Sequence, residues 1–141
     1  TLRHGKSHMT RTVLEGVTYG MNDSLQLMRD LGIELSEVRA SCGWLTSDFW
    51  LQMQADIYRS KVVTTNVTEG AAFGAAVLAG VASGVYSDLD SAAAQIVKNT
   101  GETDPGFNQS IYADYYPEYQ ALYPALKDRF ASISRVVEKH L

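Results

Sequence analysis

The sequence is poor in the features that mark secreted, nucleic-acid-binding or membrane proteins. It has one cysteine, Cys42, so no intrachain disulfide can form, and this indicates a reducing compartment. We therefore expect a cytoplasmic protein. Charged residues make up 20% of the chain and the net charge is −4, with no block of Lys or Arg. This composition argues against a nucleic-acid surface and against an anionic-membrane surface.

Long hydrophobic runs are also missing. Residues 70–87 carry no charge, but Ala and Gly dominate the run, whereas a spanning helix needs about 20 strongly apolar residues. The length of 141 residues is enough for one domain with a core but not for two. Apolar residues make up 45% of the chain, as in a globular protein. The chain starts at Thr1 without an initiator Met, so we interpret residues 1–141 as a piece of a longer protein.

Hydrophobic spacing predicts alternating helices and strands over the first 83 residues. Gly32 is a plausible helix-ending residue, and Thr46 or Ser47 and then Thr68 are plausible helix caps. The predicted elements are a helix over 7–31, a strand over 34–40, a helix over 48–58, a strand over 61–65 and a helix over 69–83.

The sequence pattern of the last third of the chain predicts helices and no strands. Ser87 with Asp90 resembles a capping box for a helix that ends near Asn99, and residues 101–106 are predicted to be a loop. A tyrosine-rich helical stripe follows from Tyr112 onwards, and Pro117 and Pro124 mark helix starts or kinks within it. These tyrosines are expected to pack rather than to bind ligands.

The pattern predicts an α/β fold that is helix-rich with two or more short strands. Two strands are too few for a complete sheet, so further strands are expected upstream. Unpaired strand edges invite pairing with another chain, and we therefore expect self-association.

Residues 38–50 join a strand to a helix N-terminus, where unpaired N–H groups and the helix dipole suit phosphate. Gly43 is the only glycine there, so the motif alone is also compatible with an ordinary turn. The small residues at 70, 74, 76 and 80 favour close helix packing rather than chemistry.

Other polar residues do not form a recognisable catalytic or metal site. His4, His8 and His140 lack metal-ligand spacing, and Cys42 has no adjacent base to activate it. His8 is expected at the surface or in a cap. Glu15 and Glu69 are expected to form ion pairs or caps. We predict no catalytic residue and no metal ligand in the chain.

Four segments in the right order resemble one known family. Their sequences are RTVLEGVTY (11–19), DFWLQMQADI (48–57), EGAAFGAA (69–76) and YQALYPALK (119–127). The first three are similar to the C-terminal half of the FGGY carbohydrate kinases, and the fourth resembles the tail of the xylulokinases within that family.

The resemblance implies part of an actin-like, ribonuclease-H-like ATPase domain on the nucleotide side of a cleft, with ATP and Mg²⁺ as cofactors. Gly43, Trp44 and Asp48 fall on positions that line the nucleotide in this family. Trp44 replaces a glycine and either stacks on the adenine or fills its pocket. Asp48 falls where glycerol kinases place an asparagine, and its carboxylate would repel phosphate unless Mg²⁺ intervenes.

The resemblance also implies the function of a longer parent protein, which would transfer the γ-phosphoryl group of ATP to a ketopentose, D-xylulose. The catalytic aspartate and the sugar contacts of the family would lie upstream of Thr1. The alternative is a kinase-like interaction or regulatory module in which Trp44 closes the nucleotide pocket.

Overall fold

The computed structural model describes residues 2–40, 47–67 and 69–141. Its elements, in chain order, are α1 (Lys6–Asp30), β1 (Glu37–Ala40), α2 (Asp48–Tyr58), β2 (Lys61–Thr65), α3 (Gly70–Ala82), α4 (Leu89–Ile96), β3 (Asn99–Thr103) and α5 (Gln109–His140).

The three strands form one small sheet in the order β1-β2-β3. Strand β1 runs parallel to β2, with Val38 opposite Val62, and α2 connects the two strands. Strand β3 returns antiparallel to β2, with Thr64 opposite Gly101 and a register shift between Thr64 and Thr65. The sheet is mixed, because β3 adds an antiparallel edge to a parallel pair.

Helix α2 is the centre of the core. Eight of its eleven residues are buried, including the polar Gln54 and Asp56, because α1, α5 and the sheet pack around it. Among the described residues, the main cluster of buried hydrophobic side chains consists of Tyr19, Trp50, Leu51, Met53, Ala55, Ile57, Tyr58, Val62 and Tyr112. The first helix contributes less apolar surface than its spacing predicts, since Val13 and Val17 are 63% and 47% exposed.

Several predicted boundaries are confirmed. Helix α2 and strand β2 begin and end where the pattern places them, and Ser47 accepts a hydrogen bond from the Trp50 N–H as the α2 cap. Gly32 follows α1 with a φ of +80°, a conformation that glycine adopts without strain. Thr46 and Thr68, the other predicted caps, lie outside the described residues.

Two predictions for the chain between α3 and α5 are wrong. The first half of the loop expected at 101–106 belongs to strand β3, and the helix expected to continue to Asn99 ends at Ile96. Asp88, rather than Ser87, caps that helix by accepting from the Ser91 N–H at 2.7 Å. Pro117 and Pro124 both lie inside the single helix α5.

No helix within residues 2–40, 47–67 and 69–141 combines the length and the apolar character needed to cross a membrane.

Candidate functional site

The N-terminus of α2 is the part of the predicted nucleotide site that the structure describes. Asp48 is the first residue of α2 and is exposed, so its carboxylate is open to a ligand. Gly43 and Trp44, the other two predicted site residues, lie outside the described residues. The Trp50 and Leu51 N–H groups in the first turn of α2 donate to Ser47, so only the N–H groups ahead of them could serve an anion.

Two contacts fix the orientation of this helix end. The Trp50 indole N–H donates to Thr18 Oγ1 at 3.0 Å, and Thr18 in turn donates to the Leu14 carbonyl at 2.7 Å. Because Trp50 and Thr18 are buried, these bonds attach the first turn of α2 to the middle of α1. Helix α1 therefore holds the first turn of α2 in its orientation.

Arg11 places a positive charge beside the first turn of α2. Its guanidinium carbon lies 5.6 Å from the centroid of the half-exposed Phe49 ring, within cation–π distance. The same guanidinium donates to Glu15 at 2.7 Å and to the Tyr112 hydroxyl at 2.8 Å. Chiefly the Glu15 bond raises the pKa of Arg11 above its ordinary value. Arg11 therefore connects α1, α2 and α5 at one end of the molecule.

A groove of about 870 Å³ opens between α1 and α5 beside Arg11. Its walls include Glu15, Tyr19, Tyr112 and Tyr119, and His8 lies on the lining near the start of α1. Burial raises the pKa of Tyr112, although the nearby Arg11 charge opposes that shift. His8 accepts from the Gly5 N–H at 3.1 Å, as expected of a capping residue.

A buried carboxylate on α2 holds the chain between β3 and α5. Asp56 is 1% exposed, and its Oδ1 accepts from the Gly106 N–H at 2.5 Å and from the Gln52 amide at 2.9 Å. Gln52 also donates to the Asp104 carbonyl at 3.1 Å. Sequence reasoning missed this network, although Gln52 and Asp56 lie one turn apart on the same helix face.

Within the part of the chain that the structure describes, no group of three or more His, Cys, Asp or Glu could hold a metal ion by itself. Asp48 could instead contact a cation that arrives on the phosphates of a nucleotide, since Mg²⁺ takes one or two carboxylates together with phosphate oxygens. An exposed carboxylate at the start of a helix thus suits a cation that is carried on phosphates.

The chain is similar to one family of known proteins and to several of its members. Residues 1–83 match the FGGY family of carbohydrate kinases, C-terminal domain. The chain is 33% identical over 132 residues to the xylulose kinase of Staphylococcus epidermidis, covering 93% of this chain and 27% of the relative. It is also 31% identical over 139 residues to the gluconokinase of Bacillus subtilis, covering 98% of this chain and 25% of that protein.

The fold agrees with these matches. The ligand-bound xylulose kinase of Lactobacillus acidophilus superposes with a TM-score of 0.82 at 25% sequence identity, over 94% of this chain and 27% of that structure. The described elements thus have the fold of part of an actin-like ATPase domain. The chain spans about a quarter of the length of the relatives it matches.

Proposed function

Because the chain belongs to the FGGY family of carbohydrate kinases, as part of the C-terminal domain of that family, we propose that it forms the nucleotide-side portion of an ATP-dependent kinase for D-xylulose. The tail at 119–127, which resembles that of the xylulokinases, supports the choice of sugar, and xylulose kinases are among the relatives of the chain. Relatives that include a gluconokinase and glycerol kinases make gluconate and glycerol the competing substrates.

The chemistry of such a kinase is positioning and charge stabilisation. The γ-phosphoryl group of ATP passes to a sugar hydroxyl while Mg²⁺ offsets the charge on the phosphates. In the proposal, Gly43 and Trp44 line the nucleotide, and Asp48 faces the phosphates through the cation that they carry. A cytoplasmic location is part of the proposal, since the single cysteine suits a reducing compartment.

Trp44→Gly tests the nucleotide site. If Trp44 stacks on the adenine, its loss removes about 0.5–1.5 kcal/mol beyond burial, and the affinity for ATP falls by up to roughly tenfold. Calorimetric titration with MgATP measures the change, and Phe107→Gly, which alters an aromatic residue that is 89% exposed, is the matched control.

The opposite result supports the alternative function. If affinity for MgATP rises in Trp44→Gly, the side chain obstructs the pocket, and an interaction or regulatory module becomes the better description. Equal affinity in the two proteins would mean that Trp44 points away from the nucleotide and that the proposed site is wrong.

Asp48→Asn tests the role given to the cation. Without Mg²⁺ the carboxylate repels phosphate, so the variant should bind metal-free ATP more tightly than the parent chain does. With Mg²⁺ present, the parent chain should gain more affinity than the variant gains. Asp90→Asn, in the first turn of α4, is the matched control and should change neither affinity. A variant that responds to Mg²⁺ as the parent does would contradict the placement of Asp48.

A further inference from the structure

The ring of Phe49 is the part of the first turn of α2 that meets a positive charge. Phe49 follows Asp48 directly, and the guanidinium carbon of Arg11 lies 5.6 Å from the centre of its ring. The core covers only about half of this ring, which is 51% exposed. A cation over an aromatic face at such a site shifts an equilibrium by a factor of about two to five. The contact is therefore large enough to decide how firmly the first turn is held.

Arg11 is in turn held by two helices. Its Nε donates to Glu15, one turn further along α1, at 2.7 Å, and its Nη2 donates to the Tyr112 hydroxyl on α5 at 2.8 Å. Two bonds from different nitrogens of a planar group fix its orientation as well as its position. Tyr112 thus helps to determine where the cation lies over the Phe49 ring.

Tyr112 has a fixed place relative to the other two helices. It is 6% exposed, and its carbonyl accepts from the Tyr19 hydroxyl on α1 at 3.2 Å. One turn earlier, Gln109 donates to the Gly106 carbonyl at 2.9 Å, and the Gly106 N–H donates to Asp56 on α2. Helix α5 is therefore attached to α2 near its own start and reaches the first turn of α2 through Arg11.

A second arginine of α1 holds the opposite end of α2. Arg29 donates to the Tyr58 carbonyl at 2.6 Å and to Ser60 Oγ at 2.9 Å, where α2 ends and the chain turns into β2. Helix α1 thus places one arginine at each end of α2. The Arg11 end carries Asp48 and is joined to α5, so the two arginines separate support of the site from support of the helix.

We propose that Arg11 is a positioning residue of the nucleotide site and that α5 supports the site through it. The inference rests on the proposed function, in which Asp48 faces the phosphates of MgATP. We name the series Tyr112, Arg11 and Phe49 the α5–α2 link. It holds the first turn of α2 in the orientation that presents Asp48. Helix α5 lies outside residues 1–83, the part of the chain that matches the family, so the match does not assign it this role.

Calorimetric titration of the chain with MgATP tests the α5–α2 link. Arg11→Met removes the charge and both hydrogen bonds but keeps an unbranched side chain, and the affinity should fall about two- to fivefold. Phe49→Leu, which keeps an apolar side chain without a ring, should have the same effect. The double variant should bind no more weakly than either single variant, because both changes break one contact. Phe49→Tyr keeps the ring and should bind as the parent chain does.

Tyr112→Phe tests the part of the proposal that concerns α5. The variant lacks the hydroxyl that holds Arg11 but keeps the backbone bond from Tyr19. Its affinity for MgATP should therefore fall, and by no more than that of Arg11→Met. Parent-like affinity in Tyr112→Phe would overturn the role given to α5.

Arg29→Met is the matched control, because it removes an arginine of the same helix from the far end of α2. It should lower the urea midpoint of unfolding, as Arg11→Met does, and leave the affinity for MgATP unchanged. An equal loss of affinity in the two variants would mean that Arg11 acts only through the stability of the fold and would overturn the inference.

Two further results would also count against Arg11. These are parent-like affinity in Arg11→Met, and a loss in the double variant that equals the product of the two single losses. Either result would overturn this inference and leave the Trp44 and Asp48 tests of the proposed function standing. A parent chain that does not bind MgATP would overturn the proposed function, and this inference would fall with it.

Discussion

Asp56 shows how one buried carboxylate can fix a connection in a small protein. Its Oδ1 accepts from the Gly106 N–H and from the Gln52 amide, and both of these donors are part-buried. Gly106 suits this position, because a Cβ there would lie 3.0 Å from the Gln52 amide nitrogen and 3.3 Å from Asp56 Oδ1. The start of α5 is thereby attached to the central helix.

Asp56→Ala should therefore destabilise the fold. It leaves the part-buried Gly106 N–H and Gln52 amide without the Asp56 acceptor, at up to about 1–3 kcal/mol for each group that finds no substitute. Urea unfolding followed by circular dichroism measures the loss. Asp114→Ala, an exposed aspartate-to-alanine change on α5, should stay within about 0.5 kcal/mol of the parent. Equal stability of the two variants would show that the network contributes nothing.

Ionisation of Tyr58 is expected to lower the stability of the fold at high pH. Burial raises its pKa from 10.0 to about 12, and its hydroxyl lies 3.5 Å from the Met21 sulfur. A group whose pKa is raised by folding stabilises the fold fully below the pKa of the unfolded chain. That contribution is lost as pH rises through the pKa of the folded chain.

The free energy of unfolding should therefore fall between about pH 10 and pH 12, and Tyr58→Phe should flatten the fall. Denaturant titrations at successive pH values measure both slopes, and Tyr115→Phe, which alters a tyrosine that is 63% exposed, is the control. An identical slope in Tyr58→Phe would mean that Tyr58 ionises as easily in the folded chain as in the unfolded one.

Local residue roles could be predicted from the sequence, whereas distant pairs could not. Ser47 as a cap, His8 as a cap and Glu15 as an ion-pair partner all depend on neighbours three or four positions away. Asp56 and Gly106 are 50 positions apart, so only the folded chain brings them together. The Arg11–Tyr112 bond has the same origin, with 101 positions between its partners.

At the scale of elements, β3 explains why a pattern can fail. Asn99–Thr103 is polar and contains Gly101, so it lacks the alternating apolar residues by which strands are recognised. Strand β3 forms because it pairs with β2. The Thr64 and Thr100 hydroxyls lie 3.0 Å apart, and Lys61 pairs with Glu102 at 2.6 Å across the two strands. The edge strand is specified by its partner rather than by its own composition.

Helix α3 offers a prediction in which two glycines behave oppositely. A Cβ on Gly74 meets nothing within 4 Å, so Gly74→Ala should stabilise the helix by up to about 1 kcal/mol through propensity alone. A Cβ on Gly80 would lie 2.9 Å from the Tyr86 ring, so Gly80→Ala must displace that ring and should be destabilising or neutral.

Thermal unfolding of the two α3 variants measures the difference in stability between them. A double variant, Gly80→Ala with Tyr86→Ala, removes the clash and should recover the gain in helix propensity. If Gly74→Ala and Gly80→Ala melted at the same temperature, the close approach of Tyr86 to α3 would be contradicted. The neighbour of Gly80 is thus the Tyr86 ring from the segment that follows α3, rather than a sheet or another helix, and a Cβ on Gly70 or Gly74 would meet none of the described atoms within 4 Å.

At the scale of the whole molecule, a small core carries a large uncovered apolar surface. The core is built around α2, while large hydrophobic side chains on α1 and α5, such as Met9, Val13 and Phe130, remain half exposed or more. The family and the order of the elements as far as α4 could be predicted from the sequence, because short motifs and helical spacing are local signals. The amount of apolar surface that stays exposed could not be predicted from the sequence, because it depends on which faces the fold brings together.

The last prediction concerns catalysis by the chain alone. The chain spans about a quarter of the length of its kinase relatives, and the residues proposed here bind the nucleotide rather than the sugar. Without a base for the sugar hydroxyl, positioning alone cannot complete the transfer. We therefore expect the chain to bind MgATP without phosphorylating xylulose, gluconate or glycerol. A coupled assay of ADP formation measures turnover, with a complete xylulose kinase as the positive control. Turnover of any of the three substrates well above the protein-free rate would mean that the chain itself includes a catalytic base. Binding without turnover would place the missing chemistry on the rest of the kinase.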